Sequence, residues 1–342
     1  MKRRILGSTG ISVSELALGT MMLGAMGNPD HDESVRLIHT ALDAGINLID
    51  TADVYSQGES EEIVAKALVG RRDDVVLATK FALPLGVDST GSSANHSGGS
   101  PRYIKLAVEH SLRRLGTDYI DLYQMHRPDA NTPVEETLGA LTDLVRQGKV
   151  RAIGASTFAV EQIVEAQWAA ERRGHQRFLT EQPRYSIFNR TIEAAILPTT
   201  QRYGMGVLTY GPLGSGWLSG RADPTSGHRA GSAPSVFDSS IPGNQAKLEA
   251  VGALTMLAAE AGLPLAHLAT AFVLAHPAVT SVLIGPRTPA QLTDLLSASD
   301  VVLSDEVLDR IDEIVAPGTE LNSDDNYLAT PAALLDARLR RR

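Results

Sequence analysis

The chain of 342 residues has no cysteine. That removes disulfides, thiolate zinc sites and cysteine nucleophiles together, and it suits a reducing compartment. Positive charge is also scarce: 31 Lys and Arg against 40 Asp and Glu leave a net charge of -9. Phosphate backbones bind clustered Lys and Arg, so nucleic acid is not an expected partner. Only the tail Arg338-Leu339-Arg340-Arg341-Arg342 is strongly basic, and a solvated terminus is its expected meaning. No apolar run approaches the roughly 20 residues that span a bilayer. The start, Met1-Lys2-Arg3-Arg4-Ile5-Leu6-Gly7, holds no apolar segment of signal-peptide length. No membrane association and a cytoplasmic location are therefore expected. Spacings such as His-Glu-x-x-His are missing too, so no metal is expected.

What the chain does have is a repeat. After a small hairpin expected over Ile5 to Val13, apolar runs end at Gly19, Asp50, Lys80, His126, Ser156, Gln182, Tyr210 and Ile284. Each leads into a loop and usually a helical stretch: Glu33 to Ala44, Ser60 to Leu68, Pro101 to Leu115, Pro133 to Gln147, Val160 to Arg173, Thr191 to Tyr203 and Pro289 to Ser297. Further helices are expected over Asn244 to Ala261, Pro264 to His276 and Ser304 to Val315. Strands alternating with helices imply parallel strands and helical crossovers. A doubly wound sheet would carry phosphate-binding glycines after its first strand, but Gly19-Thr20-Met21-Met22-Leu23-Gly24 lacks that fingerprint. Eight repeats fit a closed (β/α)8 TIM barrel, with an N-terminal β-hairpin and long loops at the C-terminal mouth. The reading is one domain over residues 1–342, with the hairpin at 1–14 and a tail at 318–342. Two intervals exceed the repeat, Gly86 to Ser100 and Ser219 to Gly243, and loops of that length are often binding loops or lids. Pro317 to Leu328 is a polar segment expected to fold back over the mouth.

In a barrel the C-terminal strand ends converge, and chemistry sits there. Asp50 alone would read as a helix N-cap, but the barrel brings it together with Tyr55, Lys80 and His126. An ammonium beside a phenol favours the phenolate, and a carboxylate keeps that ammonium placed and charged. Tyr55 is thus expected to give a proton to a carbonyl oxygen, with His126 orienting that oxygen. Carbonyl reduction also needs a hydride, which no side chain supplies, so a nicotinamide cofactor is implied. Tyr210-Gly211-Pro212-Leu213-Gly214-Ser215-Gly216 offers an aromatic face and small residues near a pyrophosphate, although Ser219 replaces the last glycine of a full fingerprint. Ile284-Gly285-Pro286-Arg287-Thr288 leads into a helix, where phosphate could meet the helix N-terminus and a guanidinium.

Together Gly45-Ile46-Asn47-Leu48-Ile49-Asp50-Thr51-Ala52-Asp53-Val54-Tyr55, Ala78-Thr79-Lys80, the run from Ser111 to His126 and Tyr210-Gly211-Pro212-Leu213-Gly214 strongly resemble the aldo-keto reductase superfamily, from Leu6 to about Pro317. The resemblance implies an NADPH-dependent reductase of a small carbonyl substrate on a TIM barrel. Asp50, Tyr55, Lys80 and His126 would be its catalytic four, with Tyr55 as the acid. It further implies NADP(H) contacts at Gly19, Thr20 and Met21, at Ser156 and Gln182 on the nicotinamide amide, and at Tyr210 stacked on the ring. Pro212, Leu213, Gly214 and Ser215 would lie along the pyrophosphate, and Ile284, Gly285, Arg287, Gln291 and Asp294 would hold the adenosine end. Two positions depart from the family's pattern: Thr157 and Leu295 stand where many relatives carry asparagine. Asp53 is expected to be structural, Trp168 and Tyr123 to pack, and His96 and Trp217 are possible substrate neighbours. Two other readings stay open: an NADPH-binding redox sensor resembling potassium-channel beta subunits, and an aldolase with Lys80 as a Schiff base. The cofactor-like segments argue against the aldolase. The pocket-shaping loops near Met21, Phe81, Trp217 and the C-terminal segment do not name a substrate, and oligomeric state is equally hidden.

Overall fold

Ten strands organise the described part of the chain, which in this computed structural model comprises residues 1–86, 95–223, 227–228, 231, 233–325 and 337–339. β1 (Arg3–Ile5) and β2 (Ser12–Ser14) form an antiparallel hairpin. The other eight close into a parallel barrel: β3 (Leu16–Gly19), β4 (Leu48–Asp50), β5 (Val76–Phe81), β6 (Ile120–Met125), β7 (Val150–Ser156), β8 (Thr180–Gln182), β9 (Gly206–Tyr210) and β10 (Ser281–Ile284). β10 pairs with both β9 and β3, which leaves the barrel without a free edge.

The expected helices form, and their ends follow local chemistry. Asp30 accepts from the Glu33 amide ahead of His31–Asp43, and Ser100 does the same for Pro101–Leu115 through Tyr103. Gly116 ends the latter helix in the left-handed conformation that a Cβ disfavours. Val134–Arg146, Val160–Arg173 and Pro289–Leu296 also match their expected stretches, as does Glu59–Ala67. Thr191 to Tyr203 does not run as one helix. A 3₁₀ turn at Thr191–Glu193 gives way to a helix at Ile196–Arg202, because Pro198 has no N–H for the carbonyl of Ala194 and fits only in a first turn.

One apolar cluster fills the lower barrel and includes Leu6, Val13, Ala17, Leu48, Leu122, Leu208 and Leu283. The hairpin caps that end: a Cβ at Gly7 would lie 2.3 Å from the backbone nitrogen of Gly206. A second, larger cluster lies between barrel and helices. The polar segment after Pro317 folds back as expected as far as Asp325. Arg190 N donates to Thr319 O at 2.8 Å and Leu321 N to Phe188 O at 3.1 Å, which lays the segment on the loop after β8. Residues 326–336 and the basic run 340–342 lie outside the described residues. Among the described residues no single helix is long and apolar enough to cross a membrane.

Candidate active site

Asp50 ends β4, Lys80 is the penultimate residue of β5, and His126 follows β6. Their neighbours in the barrel put all three at the mouth, and a turn after β4 brings Tyr55 back over them. Lys80 Nζ donates to Asp50 Oδ1, to Thr51 O at 2.8 Å and to the Tyr55 hydroxyl at 3.4 Å. The imidazole of His126 meets the Tyr55 ring edge-on, with centroids 5.7 Å apart. The second Asp50 oxygen accepts from Gln124 Nε2 and from Gln182 Nε2, each at 2.9 Å. Two consecutive non-glycine residues after Tyr55, Ser56 and Gln57, have φ of 48° and 58°. Such strain persists where the surroundings hold it. Here the Met26 amide donates to Ser56 Oγ at 3.1 Å and the Ala25 amide to Glu59 at 2.7 Å, tying this turn to the loop after β3.

Electrostatics assign a state to each group. Burial lowers the pKa of Lys80, but the charges of Asp50 and Tyr55 and the bonds to both outweigh it and hold the ammonium above its usual pKa. Burial, then Lys80 and Arg127, push His126 well below the usual imidazole range, so the ring is neutral. Its Nδ1 is buried with no hydrogen-bond partner. Tyr55 departs from expectation. Its ring keeps some surface at the mouth, but burial of the phenol raises its pKa by more than the neighbouring Lys80 lowers it. The hydroxyl is protonated at rest.

The positions expected to hold a cofactor surround this group. Gly19 pairs with Asp50 across β3 and β4, and the Thr20 amide donates to Asp50 O at 2.9 Å, with half-buried Met21 next to it. Ser156 Oγ donates to Gln182 O at 2.9 Å, and Gln182 Nε2 also donates to Gln124 Oε1 at 3.1 Å. Both Gln182 side-chain bonds use the nitrogen, which leaves Oε1 for an arriving donor. Tyr210 closes β9 and leads through Gly211, buried Pro212, Leu213 and Gly214 to Ser215, whose φ is 63°. At the end of β10, Ile284 is buried, and a Cβ at Gly285 would meet nothing within 4 Å. The Arg287 amide donates to Gln291 Oε1 at 2.9 Å. Thr288 caps Pro289–Leu296 and leaves the helix N-terminus beside half-buried Arg287. Asp294 is further out, bonded to His267 at 3.0 Å, and among the described residues no hydrogen bond joins it or Gln291 to the acid group.

A model of the aldo/keto reductase family matches residues 15–316. The chain belongs to this family. An uncharacterised oxidoreductase of Bacillus subtilis (strain 168), YrpG, is 38% identical over 94% of this chain and 98% of its own. The aldo-keto reductase YhdN of the same organism is 38% identical over 90% and 91%. A probable voltage-gated potassium channel subunit beta of Oryza sativa subsp. japonica is 36% identical over 92% and 97%.

Several expectations need correction. Trp168 does not pack in the core: it is 56% exposed, with the Arg172 guanidinium over its ring, because its helix turns that side to solvent. Trp217 is buried, donates to Val236 O at 3.2 Å and packs on Phe237, so it anchors the long loop after β9 instead of lining the mouth. Leu295 is buried in the core. Tyr123 packs as expected, stacked on Phe81 at 4.7 Å. Asp53 is 1% exposed, and His96 lines a cavity of about 380 Å³ with Asp53, Gln57, Tyr103, His110 and Arg114. Sequence reasoning missed Gln124, a polar residue inside an apolar run, and Arg184. Arg184 donates to Ser215 Oγ at 3.2 Å and to the Asp325 carbonyl, linking the glycine-rich loop to the C-terminal segment. Asp325 also pairs with buried Lys247.

Proposed function

We propose that this chain reduces an aldehyde or ketone to an alcohol with NADPH, using Tyr55 as the proton donor. The observation that carries the reading is the continuous set Asp50, Lys80, Tyr55 beside a neutral His126. NADPH supplies the hydride when bound. Tyr55 holds the proton to be donated, and the Lys80 ammonium stabilises the phenolate left behind. A neutral imidazole can donate a hydrogen bond to the carbonyl oxygen without adding a cation beside Lys80. The open face of Gly285, the spare Oε1 of Gln182 and the helix N-terminus beside Arg287 suit a nicotinamide amide and a phosphate. Ser156, Tyr210, Pro212, Leu213, Gly214, Ser215, Ile284, Gln291 and Asp294, with Gly19, Thr20 and Met21, complete the proposed cofactor contacts. A cysteine-free chain with this chemistry suits the cytoplasm.

The test is Tyr55→Phe. It removes one hydroxyl, so carbonyl reduction should fall by at least a thousandfold, within the usual range for a positioned acid, while NADPH affinity stays within about twofold. Wild-type turnover in Tyr55→Phe rules the mechanism out. The similarity to a channel beta subunit supports a second reading, an NADPH-binding redox sensor. Single-turnover hydride transfer separates the two, since a sensor's partner function survives Tyr55→Phe and a reductase's output does not.

A further inference from the structure

Gln124 lies on β6 with no exposed surface, and its register neighbours are Lys80 on β5 and Gly154 on β7. Its backbone is ordinary barrel strand, and its side chain is a fully buried amide beside Asp50, Lys80 and Gln182. That amide is used at both ends. Nε2 donates to Asp50 Oδ2 at 2.9 Å, and Oε1 accepts from Gln182 Nε2 at 3.1 Å. Gln182 in turn donates to the same Asp50 oxygen. Three side chains from β4, β6 and β8 thus close a hydrogen-bonded triangle, and Oδ1 of its carboxylate corner holds Lys80. Gly154 makes room for it: a Cβ there would come within 2.0 Å of Thr180 Oγ1 and 3.3 Å of Gln124 Cγ.

We propose that Gln124 is a positioning residue that couples the nicotinamide seat to the proton-donating group, fixing Gln182 on one side and Asp50 on the other. The inference rests on the NADPH reading, in which Gln182 holds the nicotinamide amide. An unrestrained glutamine can rotate its amide about two-fold. Here the acceptor at Gln124 and the carboxylate at Asp50 both demand the nitrogen, so Oε1 has to face the mouth. Removing Gln124 leaves Asp50 Oδ2 with one donor and Gln182 with one acceptor. A Gln182 amide held by Asp50 alone is less firmly placed, which costs affinity at the nicotinamide, and a looser Asp50 costs placement of Lys80 under Tyr55. Neither loss touches the carbonyl substrate directly.

The experiment uses the full chain and NADPH itself in a four-member cycle: wild type, Gln124→Met, Gln182→Met and the double variant. Methionine keeps the volume but cannot form either bond; each single variant leaves Asp50 Oδ2 one donor and the double variant leaves it none, so the fold of all three is checked by thermal denaturation. Fluorescence titration of NADPH should show affinity reduced about tenfold in Gln124→Met and in Gln182→Met. The double variant should lose little more than Gln182→Met alone, because Gln124 acts through Gln182. Steady-state kinetics of Gln124→Met should show kcat reduced severalfold with KM for the carbonyl substrate unchanged. Additive affinity losses, or wild-type affinity in Gln124→Met, overturn the coupling and leave the reductase reading standing. Wild-type protein that does not bind NADPH overturns both.

Discussion

Lys80 and Asp50 are an ion pair withdrawn from water, with 0% and 3% of their side-chain surfaces exposed, and removing one member of such a pair leaves the other as an uncompensated buried charge. Lys80→Met should lower stability by about 3 kcal/mol as well as abolish activity. Adding Asp50→Asn should recover most of the stability and none of the activity, since Gln124 and Gln182 can bond an amide oxygen as they do the carboxylate. Urea denaturation of the two variants checks this; a double variant no more stable than Lys80→Met would place the cost elsewhere. Arg287 works at the same scale on the cofactor side. It stands half-buried at the N-terminus of Pro289–Leu296 with no ion pair among the described residues. Pairing with a 2'-phosphate would be worth roughly 1.5 to 3 kcal/mol, so Arg287→Ala should weaken NADPH at least tenfold and NADH hardly at all. Equal weakening of both in parallel titrations would remove Arg287 from the phosphate.

The loop after β9 is an element with a fixed base. Trp217 is held by Val236 O and Phe237, Arg184 reaches Ser215, and His228 Nε2 lies 3.2 Å from the Met26 carbonyl on the loop after β3. A loop that touches both sides of the mouth suits a lid over a bound dinucleotide. NADPH should slow amide exchange in peptides covering Trp217 to Arg221 and Pro234 to Phe237, and unchanged protection there would count against the lid. Elements of this kind were only partly legible in the sequence. The strand ends at Ser156, Gln182, Tyr210 and Ile284 could be placed because buried parallel strands are short apolar runs with polar or glycine stops. Asp50, Lys80 and His126 were placed by their own strand ends in the same way, and Tyr55 by the loop that follows Asp50. Gln124 did not, since its partners are 74 and 58 residues away and meet it only after the barrel closes. The Arg184, Lys247 and Asp325 group was hidden for the same reason, with separations of 141 and 78 residues. Pro198 carried a signal that the single helix expected over Thr191 to Tyr203 passed over, since a proline inside a helical stretch marks where it must restart.

Across the whole molecule, two buried acids outside the proton-donating group set how stability responds to pH. Burial, reinforced by Glu61, pushes Asp53 up to about 8, and burial pushes Glu181 up to about 8 with one carboxylate oxygen left unbonded. In the unfolded chain both lose their protons near pH 4. Between there and about pH 8 the folded state holds protons that the unfolded state has released, so stability falls as pH rises through that window and levels off above it. Salt-bridged carboxylates with lowered pKa give the opposite slope, and Glu320, also raised by burial, adds to the same slope, so the two acids are identified by substitution. Asp53→Asn combined with Glu181→Gln keeps the neutral, hydrogen-bonding shape of each group and removes the proton difference. Urea midpoints at about pH 5 and about pH 8 should therefore lie closer together in this double variant than in the wild type, by an amount equivalent to a few kcal/mol. The gain should appear at the higher pH, because at the lower one the folded wild-type groups are already neutral. Parallel pH dependence in the two proteins would mean that Asp53 and Glu181 ionise within the fold at ordinary values, and that the barrel supplies them with partners or water.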